Sequence, residues 1–510
     1  MAGTATGEAP AQVQIGTGRG DHGGKREHFL IVSGAAQGQI TPARRLARLL
    51  VARATLAVPL SALRRMFPGR RACACGGKGE EAVSGRDGVG YAAFSDGFDG
   101  GFQAATCDGA AVVGRLRLVG PPSLARLAAA LGARGAPVSC VVYTLLLPFA
   151  ADVARGLGVP AYFFWTMPAA ALSVYHHYFH ARHGLLAAAA DAARDNPDRR
   201  VEVPGLGFLR ARDLPSLLTG PTPYLPAFRE MFDVVESAND ASKPRVLVNT
   251  FDALEAAALA SVPGIDLVPL GPMVGGDAEA DDDDVGGDLF EQDAAAGYTD
   301  WLDAQADASV VYVSFGSIAV LSAAQLEEIR LGLEATRRPF LWVVRRDNRD
   351  NGTPAPAPAP ERGMVMEWCA QSRVLAHRAV GCFVTHCGWN STVESLARGV
   401  PLVMAPQWSD QPTNARMAEA LWGVGVRAEP DAADGTTVRG AELARCVDAV
   451  MGEGDEAREI RRRSRQWKAR AAEALRQQTD DDGGTIAGHL RRFMRGVCAA
   501  RTQSDRAWQL

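Results

Sequence analysis

The chain has 510 residues, 47% of them hydrophobic and 22% charged, with a formal net charge of −4 at neutral pH. That length exceeds what one hydrophobic core serves, so two domains are expected. The near-balanced charge gives no footing for a nucleic acid or an acidic membrane surface, and no apolar run reaches the roughly 18 residues that a membrane-spanning helix needs.

Residues 1–26 are rich in Gly, Ala and Thr without an apolar core, so they read as a disordered extension rather than a secretory leader. Residues 28–33 are an apolar run that ends in the loop from Gly34 to Gly38. Thr41 and Pro42 follow as an expected helix N-cap and first turn, with Leu46, Leu49 and Leu50 at helical spacing. The pair Cys73 and Cys75 lies in a polar, glycine-rich stretch and reads as exposed loop. All nine cysteines are scattered, mostly within apolar runs, which suits a reducing, cytoplasmic setting. Residues 138–147, 161–165 and 245–250 are further buried-strand candidates, and 149–157 reads as a helix. Strands alternating with helices predict a parallel sheet covered on both faces. Residues 275–287 include the run Asp281, Asp282, Asp283 and Asp284 and little that could pack, so the interdomain linker is expected there.

The second half restarts the pattern. Residues 309–315 predict a strand ending in Gly316 and Ser317. Ser322 and Gln325 are spaced as a capping box, and Leu326, Ile329 and Leu333 supply a buried helical stripe. Residues 340–344 predict a strand, and 351–360, alternating Pro and Ala, a surface insertion. Helices are expected over 441–451 and 457–476, then a basic helix and a polar tail. The expected architecture is α/β: two doubly wound, Rossmann-like domains, 27–270 and 299–494, joined by 271–298, facing a cleft, with the tail over 495–510.

Residues 368–411 read WCAQSRVLAHRAVGCFVTHCGWNSTVESLARGVPLVMAPQWSDQ. The order is loop, strand, glycine-containing loop, helix, strand and polar turn, which is how an open α/β sheet offers a helix N-terminus to a phosphate. This segment resembles, position by position, the donor-binding signature of the plant family 1 UDP-glycosyltransferases, whose two-domain fold is termed GT-B. The likeness runs from about residue 28 to 494, and residues 94–99, 140–148 and 175–180 are similar to the anthocyanin 5-O-glucosyltransferase-like group.

The resemblance implies a UDP-sugar donor and a small-molecule acceptor, with no other cofactor and no protein partner; no metal is expected, because no aspartate-rich divalent-cation motif lies beside the phosphate loop. It places uracil on the face of Trp368, with Cys369, Ala370 and Gln371 beside it; taken alone, a Trp in an apolar run also fits a core role. It places His386, Asn390 and Ser391 against the pyrophosphate, with Gly388, Gly316 and Ser317. Glu394 is assigned to the ribose hydroxyls, although Ser391 and Glu394 also have capping-box spacing. Trp389, Asp410 and Gln411 correspond to sugar-recognising positions, Gln at the last of them indicating glucose, and Thr166 matches a sugar contact from the first domain. A zinc reading of Cys369, His377, Cys382, His386 and Cys387 fits none of the usual ligand spacings.

One departure concerns catalysis. Family members carry a His in the loop after the first strand, followed three residues later by Pro, and an Asp on a later strand that orients it. Here Gln39 stands at the His position, ahead of Pro42, and Thr144 at the Asp position. An amide has no useful basicity, so three readings stay open. The acceptor is a carboxylate, already ionised at neutral pH; or His176, His177 or His180 serves as base; or the chain binds UDP-sugar with weak or no turnover. The expected reaction is direct displacement on UDP-glucose with inversion, onto a phenolic acceptor such as an anthocyanin or flavonoid, or onto a carboxylate.

Overall fold

The computed structural model describes residues 27–507 apart from 51, 69–72, 75–80, 86–87, 102–108, 181–183, 238–242, 275–296, 350–361, 432 and 477–484. The expected N-terminal extension, acidic run and Pro/Ala insertion lie outside the described residues.

The first sheet is built from β1 (His28–Val32), β2 (Arg53–Pro59), β3 (Cys73–Ala74), β4 (Glu81–Ser84), β5 (Gly90–Phe94), β6 (Cys140–Tyr143) and β7 (Ala161–Trp165). A separate hairpin, β8 (Arg200–Val203) and β9 (Gly207–Arg210), intervenes before β10 (Arg245–Val248) and β11 (Asp266–Pro269) complete the sheet. Its order is β11-β10-β7-β6-β1-β2-β5-β4-β3, parallel from β11 to β5 with β4 and β3 antiparallel at the edge. The second sheet contains β12 (Val310–Ser314), β13 (Phe340–Val343), β14 (Gly363–Met366), β15 (Val380–Thr385), β16 (Leu402–Met404) and β17 (Gly425–Arg427). It is parallel throughout, in the order β14-β13-β12-β15-β16-β17. Two doubly wound α/β halves are thus present, as expected.

Central strands such as β1 and β15 are buried along their whole length, the mark of a parallel sheet with both faces covered. Strand order reverses between β1 and β6 in the first sheet and between β12 and β15 in the second. Crevices form at such reversals, outside the carboxyl ends of the strands. The helix that follows β1 carries Gln39 in its first turn, and the residue after β6 is Thr144. The loops after β12 and β15 carry Gly316 and His386. Topology alone therefore gathers these residues.

Several local expectations need correction. The first helix spans Gln37–Leu49 with Ala36 as N-cap, so Thr41 and Pro42 lie inside it. Proline lacks the N–H that would bond back to the carbonyl four residues earlier, here that of Gly38. The Asn390 amide, from the second domain, donates to that carbonyl at 3.0 Å. Cys73 and Ala74 form the short edge strand β3 rather than loop. Ser322 caps the helix Ala323–Thr336 by accepting from Gln325 N at 3.1 Å. The Gln325 side chain turns away to the backbone of Val438, so only half of the box forms.

The last helix, Ile486–Ala507, includes most of the stretch expected to be a polar tail. Leu490, Phe493 and Val497 are buried at helical spacing in the core of the first domain. Phe493 packs on Phe29 and Tyr162, with centroids 6.2 and 4.9 Å away. The chain thus returns to the sheet from which it started.

The two halves also meet through polar contacts. Asp213, buried and next to β9, accepts from Arg427 at the end of β17 at 2.8 Å. Its carbonyl accepts from Thr413 Oγ1 at 2.7 Å.

Candidate active site

A cavity of about 280 Å³ opens between the two sheets at their carboxyl edges. It is lined by Gln39 and Thr166 from the first half and by Gly316, Ser317, Trp368, Cys369, Ala370, Gln371, His386, Gly388, Trp389, Asn390, Ser391, Glu394, Asp410 and Gln411 from the second. Every residue expected at the site lies on its wall except Thr144, which is fully buried directly behind Gln39.

On the second half, the helix Trp389–Arg398 starts at the N-cap Gly388 and points its first turn into the cavity. Its leading N–H groups lack intrahelical acceptors and sit at the positive end of the helix dipole. Because the helix begins at Trp389, Ser391 is inside it and the capping-box alternative for Glu394 falls away. Glu394 instead accepts from Gln371 Nε2 at 2.8 Å and lies 3.6 Å from the Arg45 guanidinium of the first half. The same Gln371 amide donates to Ser391 Oγ at 3.0 Å. Trp368 is half-buried and lies on the cavity wall.

His386 follows β15 and packs between two glycines. A Cβ on Gly316 would come within 2.5 Å of the imidazole, and one on Gly388 within 2.5 Å of Nε2. Gly316 also has φ of +73°, a conformation that side chains disfavour. Burial and the Arg345 guanidinium lower the imidazole pKa to about 4, against an opposing hydrogen bond to the Ser314 backbone. His386 is therefore neutral at physiological pH, and the Ser314 carbonyl competes with a bound diphosphate for its single ring N–H. Arg345 itself is buried and donates to the carbonyls of Gly316 and Ala319, holding the loop after β12.

Asp410 and Gln411 start the helix after β16. Burial raises the Asp410 carboxyl to about 6, opposed by the hydrogen bond from Asn414 Nδ2 at 2.8 Å. Gln411 Oε1 accepts from the backbone N–H groups of Gln407 and Trp408, so its amide nitrogen is the end left to meet a ligand. The Trp389 indole N–H is committed to the Asn249 carbonyl at 2.6 Å across the domain boundary.

On the first half, Gln39 Oε1 accepts from Thr144 Oγ1 at 2.9 Å and from Gly34 N at 3.2 Å. A backbone N–H can only donate, which identifies the amide oxygen as the atom facing inward. The amide nitrogen remains for the cavity. The three histidines weighed as substitute bases are elsewhere: none lines the cavity. His176 and His180 face Glu236, and His177 Nε2 lies 3.1 Å from the Ser261 carbonyl. Among the described residues, the cysteines and histidines of the zinc reading form no ligand cluster.

Comparison with known proteins fits this geometry. The family described as UDP-glucoronosyl and UDP-glucosyl transferase matches residues 284–475. Phloretin 4'-O-glucosyltransferase of Malus domestica is 38% identical, over 92% of this chain and 97% of that one. The chain belongs to the plant family 1 UDP-glycosyltransferases. This glycosyltransferase is also 37% identical to anthocyanidin 3-O-glucoside 5-O-glucosyltransferase 1 of Perilla frutescens, over 93% and 100% of the two chains. The structure of Os79 from O. sativa in complex with U2F and trichothecene is 31% identical, covers 92% of this chain and all of its own, and superposes with a TM-score of 0.74. A further Os79 structure contains UDP. The chain is thus a UDP-sugar glycosyltransferase for small molecules, with the two-sheet GT-B fold.

Sequence reading missed Arg45, Arg345 and Asn414. Arg45 lies two turns beyond Gln39 in a helix with no motif, and nothing local marks it as facing the other domain. Arg345 follows an apolar strand, and no local motif marks its bonds to the Gly316 and Ala319 carbonyls or its charge beside His386. Asn414 falls just outside the 368–411 signature, although its spacing four residues after Asp410 on a helix would have suggested the contact.

Proposed function

We propose that this glycosyltransferase transfers glucose from UDP-glucose, with inversion, to the carboxylate of a small plant natural product, forming a glucose ester. The observation that carries this reading is the Gln39–Thr144 pair, whose oxygen is occupied and whose remaining group is a donor. A donor suits an oxygen that is already an anion, whereas a phenol or alcohol needs a base. The carboxylate oxygen attacks the anomeric carbon, the bond from that carbon to the diphosphate oxygen breaks, and UDP departs with the electron pair. No proton has to be removed. The helix N-terminus at Gly388 and the His386 N–H meet the charge that grows on UDP, while Trp368 stacks on uracil and Glu394 accepts from the ribose. Asp410 and the Gln411 amide read neighbouring glucose hydroxyls. Relatives named for phloretin and anthocyanidin glucosylation support an acceptor from plant secondary metabolism. Among the described residues, five buried free cysteines support the reading of a reducing compartment.

The deciding experiment compares initial rates with UDP-glucose for aromatic carboxylic acids and the matching phenols. Acids are expected to turn over and to give a product cleaved by hydroxylamine, with phenols slower by about 100-fold or more. Phenols reacting as fast as acids would overturn the reading. UDP-glucose binding without turnover of either class would instead favour the binding-only alternative.

Asp410 adds a pH dependence. Its carboxyl, at about 6 when no sugar is bound, accepts two hydroxyls only when ionised. Affinity for UDP-glucose is therefore expected to be level above pH 6 and to fall as pH drops through it. In Asp410→Asn, whose amide does not titrate, affinity for UDP-glucose is expected to be lower and to hold steady over the same range. Calorimetric titrations of UDP-glucose into the native protein and the variant between about pH 5 and 8 check this, and a parallel decline of the two would exclude Asp410 as the cause.

A further inference from the structure

We propose that His176, His180 and Glu236 form a binding site for a zinc-class divalent transition-metal ion, outside the cavity described above. The helix Ala169–Phe179 carries His176 in its last turn and ends on His180 as C-cap. Four residues apart, the two rings lie over one another with centroids 4.1 Å apart. Glu236, the last residue of the helix Leu225–Glu236, faces both. Its Oε2 is 2.9 Å from His180 Nε2 and its Oε1 is 3.7 Å from His176 Nδ1. One ligand atom from each residue lies within 4.8 Å of the other two.

The protonation pattern points to a cation. His180 Nδ1 lies 2.7 Å from the His176 carbonyl. A carbonyl only accepts, so the proton of a neutral His180 ring sits on Nδ1 and a lone pair occupies Nε2. That lone pair faces a carboxylate oxygen at 2.9 Å. Two acceptors at that distance require positive charge between them, from either a proton or a metal ion. The carbonyl-anchored ring is also how metal-binding histidines are held, with the second nitrogen hydrogen-bonded to fix the tautomer.

Two imidazoles and one carboxylate are a common zinc donor set. With bonds of about 2.0 Å, tetrahedral ligands stand about 3.3 Å apart, and the observed 2.9 and 3.7 Å separations bracket that spacing. His176 is buried, while the side chains of His180 and Glu236 are 27% and 33% exposed, so solvent can reach a fourth position. The ion would tie together two helices whose aromatic residues Tyr175, Phe228 and Phe232 pack around Trp165, next to Thr166 on the cavity wall.

The test uses the full chain, stripped with chelator and titrated with Zn²⁺ against a chromophoric indicator, with Co²⁺ as spectroscopic probe. The native protein is expected to take up one ion per chain, to show visible Co²⁺ bands of low-coordinate geometry, and to melt at higher temperature with Zn²⁺. His180→Gln and Glu236→Gln, both at partly exposed positions, are expected to weaken uptake by about 100-fold or more and to lose the thermal shift. Equal affinity in the native chain and both variants would place the ion elsewhere and overturn the proposal. So would absence of uptake by the native chain, which would leave a proton-bridged ion pair at this position.

Discussion

Gln39→His is expected to raise turnover of phenolic acceptors by about 10²- to 10⁴-fold, the range that a positioned general base supplies. The position is ready for it. Residue 39 is in the first turn of its helix, on the cavity wall, with the Thr144 hydroxyl 2.9 Å from its side chain. An imidazole there can use one nitrogen toward Thr144 and present the other to the acceptor hydroxyl. Turnover of carboxylic acids should change little or fall, because they gain nothing from a base and lose the amide donor. Opposite movement of the two substrate classes is the signature, read from kcat/KM for each. Equal gains for acids and phenols would show that Gln39 limits the reaction through packing or donor binding, and would remove the argument for an ionised acceptor.

The second large effect is expected at His386. His386→Ala should lower kcat by about 10²- to 10³-fold, the usual loss when one preorganised donor to developing negative charge is removed. The neutral imidazole, held near a pKa of about 4 by burial and Arg345, contributes a hydrogen bond rather than a full charge. UDP affinity should fall as well, since the departing diphosphate is also the product. Calorimetric titration of UDP together with single-turnover rates separates the two losses. The ring fills the space between Gly316 and Gly388, so a lower melting temperature is anticipated too. A variant that melts early yet turns over at the native rate per folded molecule would confine His386 to packing.

Both predictions depend on residues distant in sequence meeting at one cleft, and the sequence was unequally informative about them. The strand and helix alternation was legible because long apolar runs and helical spacing are local signals, and β1, β6, β7, β10, β12 and β13 lie within the stretches expected. Pro42 misled for a physical reason. A proline normally marks a helix's first turn, but here the carbonyl it leaves without a helical partner receives the Asn390 amide from the other domain. The last helix reads in sequence as partly tail because its apolar residues are sparse among arginines. Only the packing of Phe493 on Phe29 and Tyr162 reveals their use.

What the sequence determined by itself was the family, through residues 368–411, and with it a UDP-sugar donor and two doubly wound domains. These follow from motif wording and local periodicity, which need no knowledge of contacts. Only the tertiary structure decided which end of the Gln39 amide meets the cavity and that His176, His177 and His180 lie outside it. It alone showed that Glu394 is shared by Gln371 and Arg45 rather than used as a cap. Each of these depends on which groups become neighbours once the chain has folded, within a half as for Gln39 and Thr144 or across the halves as for Arg45 and Glu394, and partners so far apart leave no trace in the residues between them.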